Sequence, residues 1–330
     1  GELNFTGAVV IISEMDHKVI NLAANLARHS NIHLVANLAK PVQLSQVKTV
    51  IQKAKHLAVH TDLSHASISE KALHEAINLN EIIPYYQPKI NSQTSEIESI
   101  EVLARIVKTH TGEIISPNRF ISLSEQSGLI NQITFSLFEQ ATSDLKAIRT
   151  NIAAHLKLAF NLSPTQLDDL SCPNKLMLIL QLNELSPSDI ILEITEQHAL
   201  SSLSQLETLN RLRMHGFGIS LDDFGVGFTN MNQIKRLPFT EIKIDRTLIS
   251  NIETDQFSQV VVSSLVDIAS QEQLALVAEG VERAEESLYL KNYRTNLAMQ
   301  GFLFTCPKAK DDFIEWALNW VNTTGGTIKR

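Results

Sequence analysis

The sequence predicts an α/β protein: a (β/α)8 TIM-like barrel whose first strand runs against the others, preceded by a small N-terminal α/β segment. Three observations lead there. From residue 157 onward, short apolar runs recur, each ending in a polar residue and each followed by apolar residues at helical spacing. Two earlier runs, 82–90 (IIPYYQPKI) and 97–106 (IESIEVLARI), are joined by a polar turn short enough to force an antiparallel pair. The length, 330 residues with 44% hydrophobic content, suffices for one large core and a second, smaller one.

Composition narrows the class further. Cys172 and Cys306 are too few and too isolated for a disulfide framework or a zinc site, so a reducing cytoplasm is the expected compartment. A net charge of −8 argues against polymeric nucleic acid as a partner. No run approaches a membrane span and no signal peptide opens the chain, which excludes a membrane partner; Gly1 reads as an arbitrary cut in something longer.

In chain order, 8–12 is an apolar strand ending at Ser13 and Glu14, 19–27 has helical spacing, 33–36 is strand-like, and Lys40-Pro41 precedes a helical stretch at 44–51. This β-α-β-α order resembles the C-terminal half of a response-regulator receiver domain, with Ser13 matching the small hydroxyl residue of its fourth strand and Lys40 its phosphate-contacting lysine; a generic α/β fragment is the alternative. The acidic cluster of a receiver lies in its first half, for which Asp16 is a poor substitute, so no phosphoryl transfer to this segment is expected. His56, His60 and His65 follow in a polar stretch; irregular spacing without flanking acids reads as a solvated linker rather than a metal site. Ser69 then caps a helix from 70 to about 79, with Glu70 in its first turn.

After the hairpin, strands are expected near 157–163, 189–195, 218–224, 241–246, 274–280 and 297–302, with helices such as 203–214 and 257–270 between them. The run GISLDDFGVGF carries two adjacent carboxylates, Asp222 and Asp223, off the end of an apolar strand. Asp222 capping a following helix with Asp223 solvated is one explanation; a bound cation meeting both is the other. In a barrel, strand ends converge on one face. Glu101, Asn161, Glu193, Asp222, Asp223 and Glu279 then point into one oxygen-rich, negative mouth, a donor set that favours Mg²⁺ or Mn²⁺ over zinc, with acids enough for two ions.

From about residue 69 to 320 the chain resembles the EAL domain, the bacterial phosphodiesterase that hydrolyses cyclic di-GMP. The matching motifs are YYQP, EVLAR in place of the eponymous triplet, SPNRFISLSEQSGLI, FNLSP, LEITE, LDDFGVGF, IKIDR, VAEGVE and MQGFLF. The resemblance divides the chain into a partial receiver-like segment (1–55), a linker (56–68) and an EAL phosphodiesterase barrel (69–330). It implies that Glu101, Asn161, Glu193 and Asp222 hold one metal, with Asp222 bridging to a second held by Asp223 and Glu279. Glu101, Lys243 and Glu279 are the implied catalytic residues, Lys243 contacting the attacking water, with a pKa that two nearby dications would depress. Gln87, Leu103, Arg105, Glu282 and Gln300 line the implied substrate pocket, and Glu196 braces the glycine loop. The implied product is linear pGpG and the implied assembly a homodimer formed near that loop.

The chain departs from the family pattern at Ser99, at Val102 and Ile106, and in the glycine loop at Val226 and Phe228. None of these positions is an implied metal ligand. Two other readings stand beside hydrolysis: a module that binds cyclic di-GMP without cutting it, and a Schiff-base aldolase built on Lys243.

Overall fold

A computed structural model of the chain describes residues 8–13, 33–40, 42, 47, 67–195, 202–225, 231–293, 295 and 297–324. Asp16, the helix expected at 19–27, that at 44–51 apart from Val47, the histidine-bearing linker, Glu196 and loop residues 226–230 lie outside the described residues. Contacts separate the chain into two units, 1–67 and 68–330.

In the first unit, β1 (Ala8–Ser13) pairs in parallel with β2 (His33–Ala39). The second strand runs past the expected end at 36 because Asn37, Leu38 and Ala39 stay in register with Ile11, Ile12 and Ser13.

In the second unit, Ser69 caps α1 (Glu70–Asn78), its hydroxyl accepting the Ala72 N–H at 3.2 Å. The hairpin follows as β3 (Ile82–Asn91) and β4 (Ile97–Val107). Its turn is built by Asn91, whose Oδ1 accepts the N–H groups of Gln93 and Thr94 at 2.8 Å. A two-residue strand, β5 (Ile114–Ile115), pairs with the far end of β4.

From β4 the sheet continues in parallel through β6 (Lys157–Asn161), β7 (Ile190–Thr195), β8 (Gly218–Phe224), β9 (Glu241–Ile244), β10 (Ala275–Ala278) and β11 (Leu297–Met299). Antiparallel pairing of β11 with β3 then closes a ring of eight strands, in which only β3 is reversed. The ring is the barrel expected from the sequence.

Helices cover its outside, the longest being α2 (Ile130–Asn151), whose buried residues Ile133, Leu137, Ala141, Leu145 and Ile148 recur every three or four positions. The larger buried cluster lies between these helices and outward-facing strand residues such as Ile100, Leu158, Leu192, Ile219 and Ile242, and a second gathers Ile82, Ile106, Phe120, Ile133 and Leu137. Alternate strand positions turn into the ring. Among the described residues no helix is long and apolar enough to cross a membrane.

Several strands end earlier than the apolar pattern suggests, at 161, 244, 278 and 299. The first residue beyond each strand keeps the ladder's spacing for one bond: Leu162 N–H donates to Glu193 O, Glu279 N–H to Ile244 O and Gln300 N–H to Ala278 O, at 2.9–3.0 Å. Glu279 and Gln300 are thus loop residues held as firmly as strand residues.

Candidate active site

The mouth formed by the C-terminal ends of the parallel strands gathers the predicted acids. Glu101 lies on β4, Asn161 ends β6, Glu193 is on β7, Asp222 and Asp223 are near the end of β8, and Glu279 follows β10. Strand alternation alone would send Asp222 and Asp223 to opposite faces. A register shift between Leu221 and Phe224, with Asp223 at φ 59°, breaks the alternation. Carboxylate oxygens of Asp222, Asp223 and Glu279 consequently lie within 4.8 Å of one another.

Lys243, on β9, reaches into the middle of the cluster. Its Nζ lies 2.8 Å from Glu193 Oε2, 2.8 Å from Glu279 Oε1, 3.1 Å from Asp222 Oδ1 and 3.6 Å from Glu101 Oε1. Both oxygens of Glu101 are also held, Oε1 by Asn161 Nδ2 at 2.9 Å and Oε2 by Gln300 Nε2 at 2.6 Å.

Two further charges lie deeper in the ring, and sequence reasoning missed both. Lys89 on β3, fully buried, donates to Glu193 Oε1 and Glu241 Oε1, each at 2.8 Å. Alternation was the available signal: Lys89 shares a face with Gln87, and Glu241 shares one with Lys243. Six carboxylates therefore face two ammonium groups.

The electrostatics follow from that imbalance. Burial, reinforced by Glu193 and Asp222 against the pull of Lys243, pushes the Glu101 carboxyl up to about 7. Burial first, with Asp222 and Glu101 adding to it against Lys243, pushes Glu279 up to about 8. For Glu193 burial acts the same way, but the ammonium groups of Lys243 and Lys89 outweigh it and hold the carboxyl down at about 2. Lys243 itself, although desolvated, is held well above the ordinary lysine range by Asp222, Glu101, Glu193 and Glu279. The depression expected from the sequence applies to a lysine beside two bound dications; here its neighbours are acids alone.

Of the remaining predicted residues, Gln87, Leu103, Glu282 and Gln300 line a cavity of about 280 Å³ beside Glu101 and Glu279. Gln300 Nε2 donates to Gln87 Oε1 at 3.1 Å, and Glu282 pairs with Arg246 at 2.8 Å. A larger cavity of about 500 Å³ reaches Glu101, Asn161, Glu193 and Asp223, with Pro117, Asn118, Ile121 and Glu125 of the SPNRFISLSEQSGLI motif forming one wall. Glu101 and Leu103 border both cavities. Arg105 borders neither; its guanidinium bonds Ala104 O at 2.8 Å and lies 5.7 Å from the centre of the Tyr85 ring.

The donor set fits hard divalent cations. Its members at the mouth are carboxylate and amide oxygens, with three acid oxygens close enough to share one ion, and two buried carboxyls are driven toward protonation where positive charge falls short.

The sequence profile described as EAL domain matches residues 70–307. RocR of Pseudomonas aeruginosa, named a cyclic di-GMP phosphodiesterase, is 29% identical over 313 residues, covering 94% of this chain and 79% of RocR. MucR of the same organism, named a bifunctional diguanylate cyclase and cyclic di-GMP phosphodiesterase, is 32% identical over 243 residues, covering 73% of this chain but only 35% of MucR. A solved structure of the PaMucR phosphodiesterase in complex with c-di-GMP superposes with a TM-score of 0.68 at 32% identity, over 74% of this chain and 98% of that one. With its barrel, its reversed first strand and a profile match spanning most of its length, this chain belongs to the EAL domain family.

Proposed function

We propose that the barrel hydrolyses one phosphodiester of cyclic di-GMP to give linear pGpG, with two Mg²⁺ or Mn²⁺ ions as cofactors. The observation that carries this reading is the convergence of Glu101, Glu193, Asp222, Asp223 and Glu279 on one mouth. The names of RocR and MucR support the same substrate. Glu101, Asn161, Glu193 and Asp222 would hold one ion, and Asp223 and Glu279 the other, with Asp222 shared. Bound there, the ions supply positive charge opposite the phosphoryl oxygens and acidify a water.

The chain's own residues set the conditions for this chemistry. Without added cations the acid surplus repels an anionic phosphodiester, so metal and substrate binding are coupled. Asn161 and Gln300 fix the Glu101 carboxylate from both sides. Lys243, with its Nζ among Glu101, Glu193, Asp222 and Glu279, would orient the attacking water or accept its proton. The four carboxylates around Lys243 argue against a Schiff base, in which they would have no role. Gln87, Leu103 and Glu282 line the smaller cavity as substrate contacts. Arg105, two strand repeats further out than Glu101 on the same face of β4, would turn from Ala104 toward a phosphate.

For the first unit we propose a receiver-like half-domain. The parallel pair of β1 and β2, with Ser13 ending one strand and Lys40 following the other, supports it. A homodimer formed near the glycine loop is proposed for the assembly, and light scattering tests it: a monomer at every concentration removes it.

Chromatography of cyclic di-GMP incubated with the chain and Mg²⁺ or Mn²⁺ tests the activity. Conversion to pGpG that stops with a chelator is expected. Binding of cyclic di-GMP with no product in either metal would move the assignment to a non-catalytic binding module.

A further inference from the structure

Lys89 and Glu241 have no part in the chemistry above; Lys89 is fully buried, and Glu241 borders a separate cavity at the N-terminal ends of the strands. Their strands fix the geometry. In the closed order β3 stands four places from β8 in either direction, so it lies across the ring from β8 and its neighbours β7 and β9. Glu193, Ser220 and Glu241 form one row across those three strands, Glu193 opposite Ser220 and Ser220 opposite Glu241. The Lys89 side chain spans the barrel and ends between the two acids of that row, 2.8 Å from each. Its exposure is zero.

Glu193 is the residue affected. Lys89 takes its Oε1 and Lys243 its Oε2, both at 2.8 Å, so two ammonium groups fix the carboxylate plane and only one oxygen faces the mouth. A buried ion pair is a weak source of stability, because desolvation consumes most of the Coulombic gain. Orientation is what the pair adds. The charges of Lys89 and Glu241 cancel, so they direct Glu193 without changing the net charge of the mouth.

We infer that Lys89, anchored by Glu241, is a positioning residue that occupies one oxygen of Glu193 and presents the other as a single-oxygen ligand to the metal centre. The inference rests on the metal reading given above. It predicts that metal affinity depends on a donor at position 89 rather than on the buried charge.

Two double variants of the full chain separate these roles, both keeping the interior charge unchanged. Lys89→Met with Glu241→Met removes the donor; Lys89→Gln with Glu241→Gln keeps an N–H at position 89 for Glu193. Mn²⁺ affinity is measured by titration calorimetry well below each variant's melting temperature, so that a purely structural role does not register. The apolar pair is expected to bind Mn²⁺ about 10- to 100-fold more weakly, as when a group that orients a metal ligand is lost, while the amide pair stays within about threefold of wild type.

Wild-type affinity in the apolar pair overturns the inference, and so does a tenfold or greater loss in the amide pair. Should the apolar pair fail to fold, the amide pair decides by itself: retained affinity supports the assignment and lost affinity ends it. Absence of Mn²⁺ binding in the wild-type chain removes the metal reading and this inference together, an outcome distinct from failure in the variants alone.

Discussion

Asp222 and Asp223 are consecutive on β8, yet both bring a carboxylate oxygen into the small space they share with Glu279. The register shift against β9 and the left-handed backbone of Asp223 make this possible. Aspartate is among the few residues that tolerate such a φ, so the backbone and the carboxylate at this position select for one side chain.

Asp223→Asn keeps a residue suited to that backbone and removes the charge. Its melting temperature should stay near wild type while hydrolysis falls at least about hundredfold. Asp223→Ala should lose activity equally and add roughly 1–2 kcal/mol of destabilisation from the strained φ. Chromatographic rates and urea melts of the two variants check this, and a fully active Asp223→Asn would remove the residue from the metal site.

Glu101→Ala should abolish hydrolysis with the fold intact. Glu101→Gln gives a sharper reading, since the ionised form of Glu101 is disfavoured by burial. Near pH 8 without metal, this variant should melt a few degrees higher than wild type while its turnover drops by at least about a hundredfold. A lower melting temperature would show that the carboxylate stabilises the empty barrel.

Stability should also depend on pH in a defined direction. Glu101 and Glu279 are pushed up to about 7 and about 8, so between the ordinary 4.5 and those values the folded chain holds protons that the unfolded chain has released. Their contribution is full below about pH 4.5 and is lost as pH rises through about 7 and 8. Glu193, held at about 2, contributes above 4.5 and loses that contribution as pH falls through about 2. Melting curves in chelator should therefore decline from about pH 5 to about pH 8, and saturating Mn²⁺ should flatten the decline by favouring the ionised acids. A rise over that interval in chelator contradicts the assigned environments.

Gly301 follows Gln300 where the chain passes directly over the backbone of Val281, and a Cβ there would overlap the Val281 peptide. Gly301→Ala should cost on the order of 3 kcal/mol or more, because the obstacle is backbone and cannot rotate away. It should also reduce turnover by shifting the Gln300 amide from Glu101. Urea denaturation and rate measurements test both effects.

Much of this architecture was legible in the residues. Apolar runs ending in Asn161, Glu193, Asp222 and Glu279 marked the strands and the mouth together, because a barrel strand changes from core to solvent at one end. What escaped was geometry set by neighbouring strands. Lys89 reads as an ordinary polar residue of the hairpin, and only the closed ring brings it to Glu193. The pair Asp222–Asp223 gave no hint of the register shift, which depends on pairing with β9. That Lys243 reaches four of the acids at once was equally hidden, since they come from four other strands or strand ends.

Lys243 contacts four acids with one ammonium group, so the cluster already contains a cation of its own. Small zinc domains, by contrast, need their ion in order to fold. With the proposed ions, maturation would split into two stages. The polypeptide can complete its tertiary structure in a metal-poor environment, with the lysine as an internal counterion, and be loaded afterwards. Stripping the ions should then silence the protein reversibly and leave a folded molecule ready for reloading.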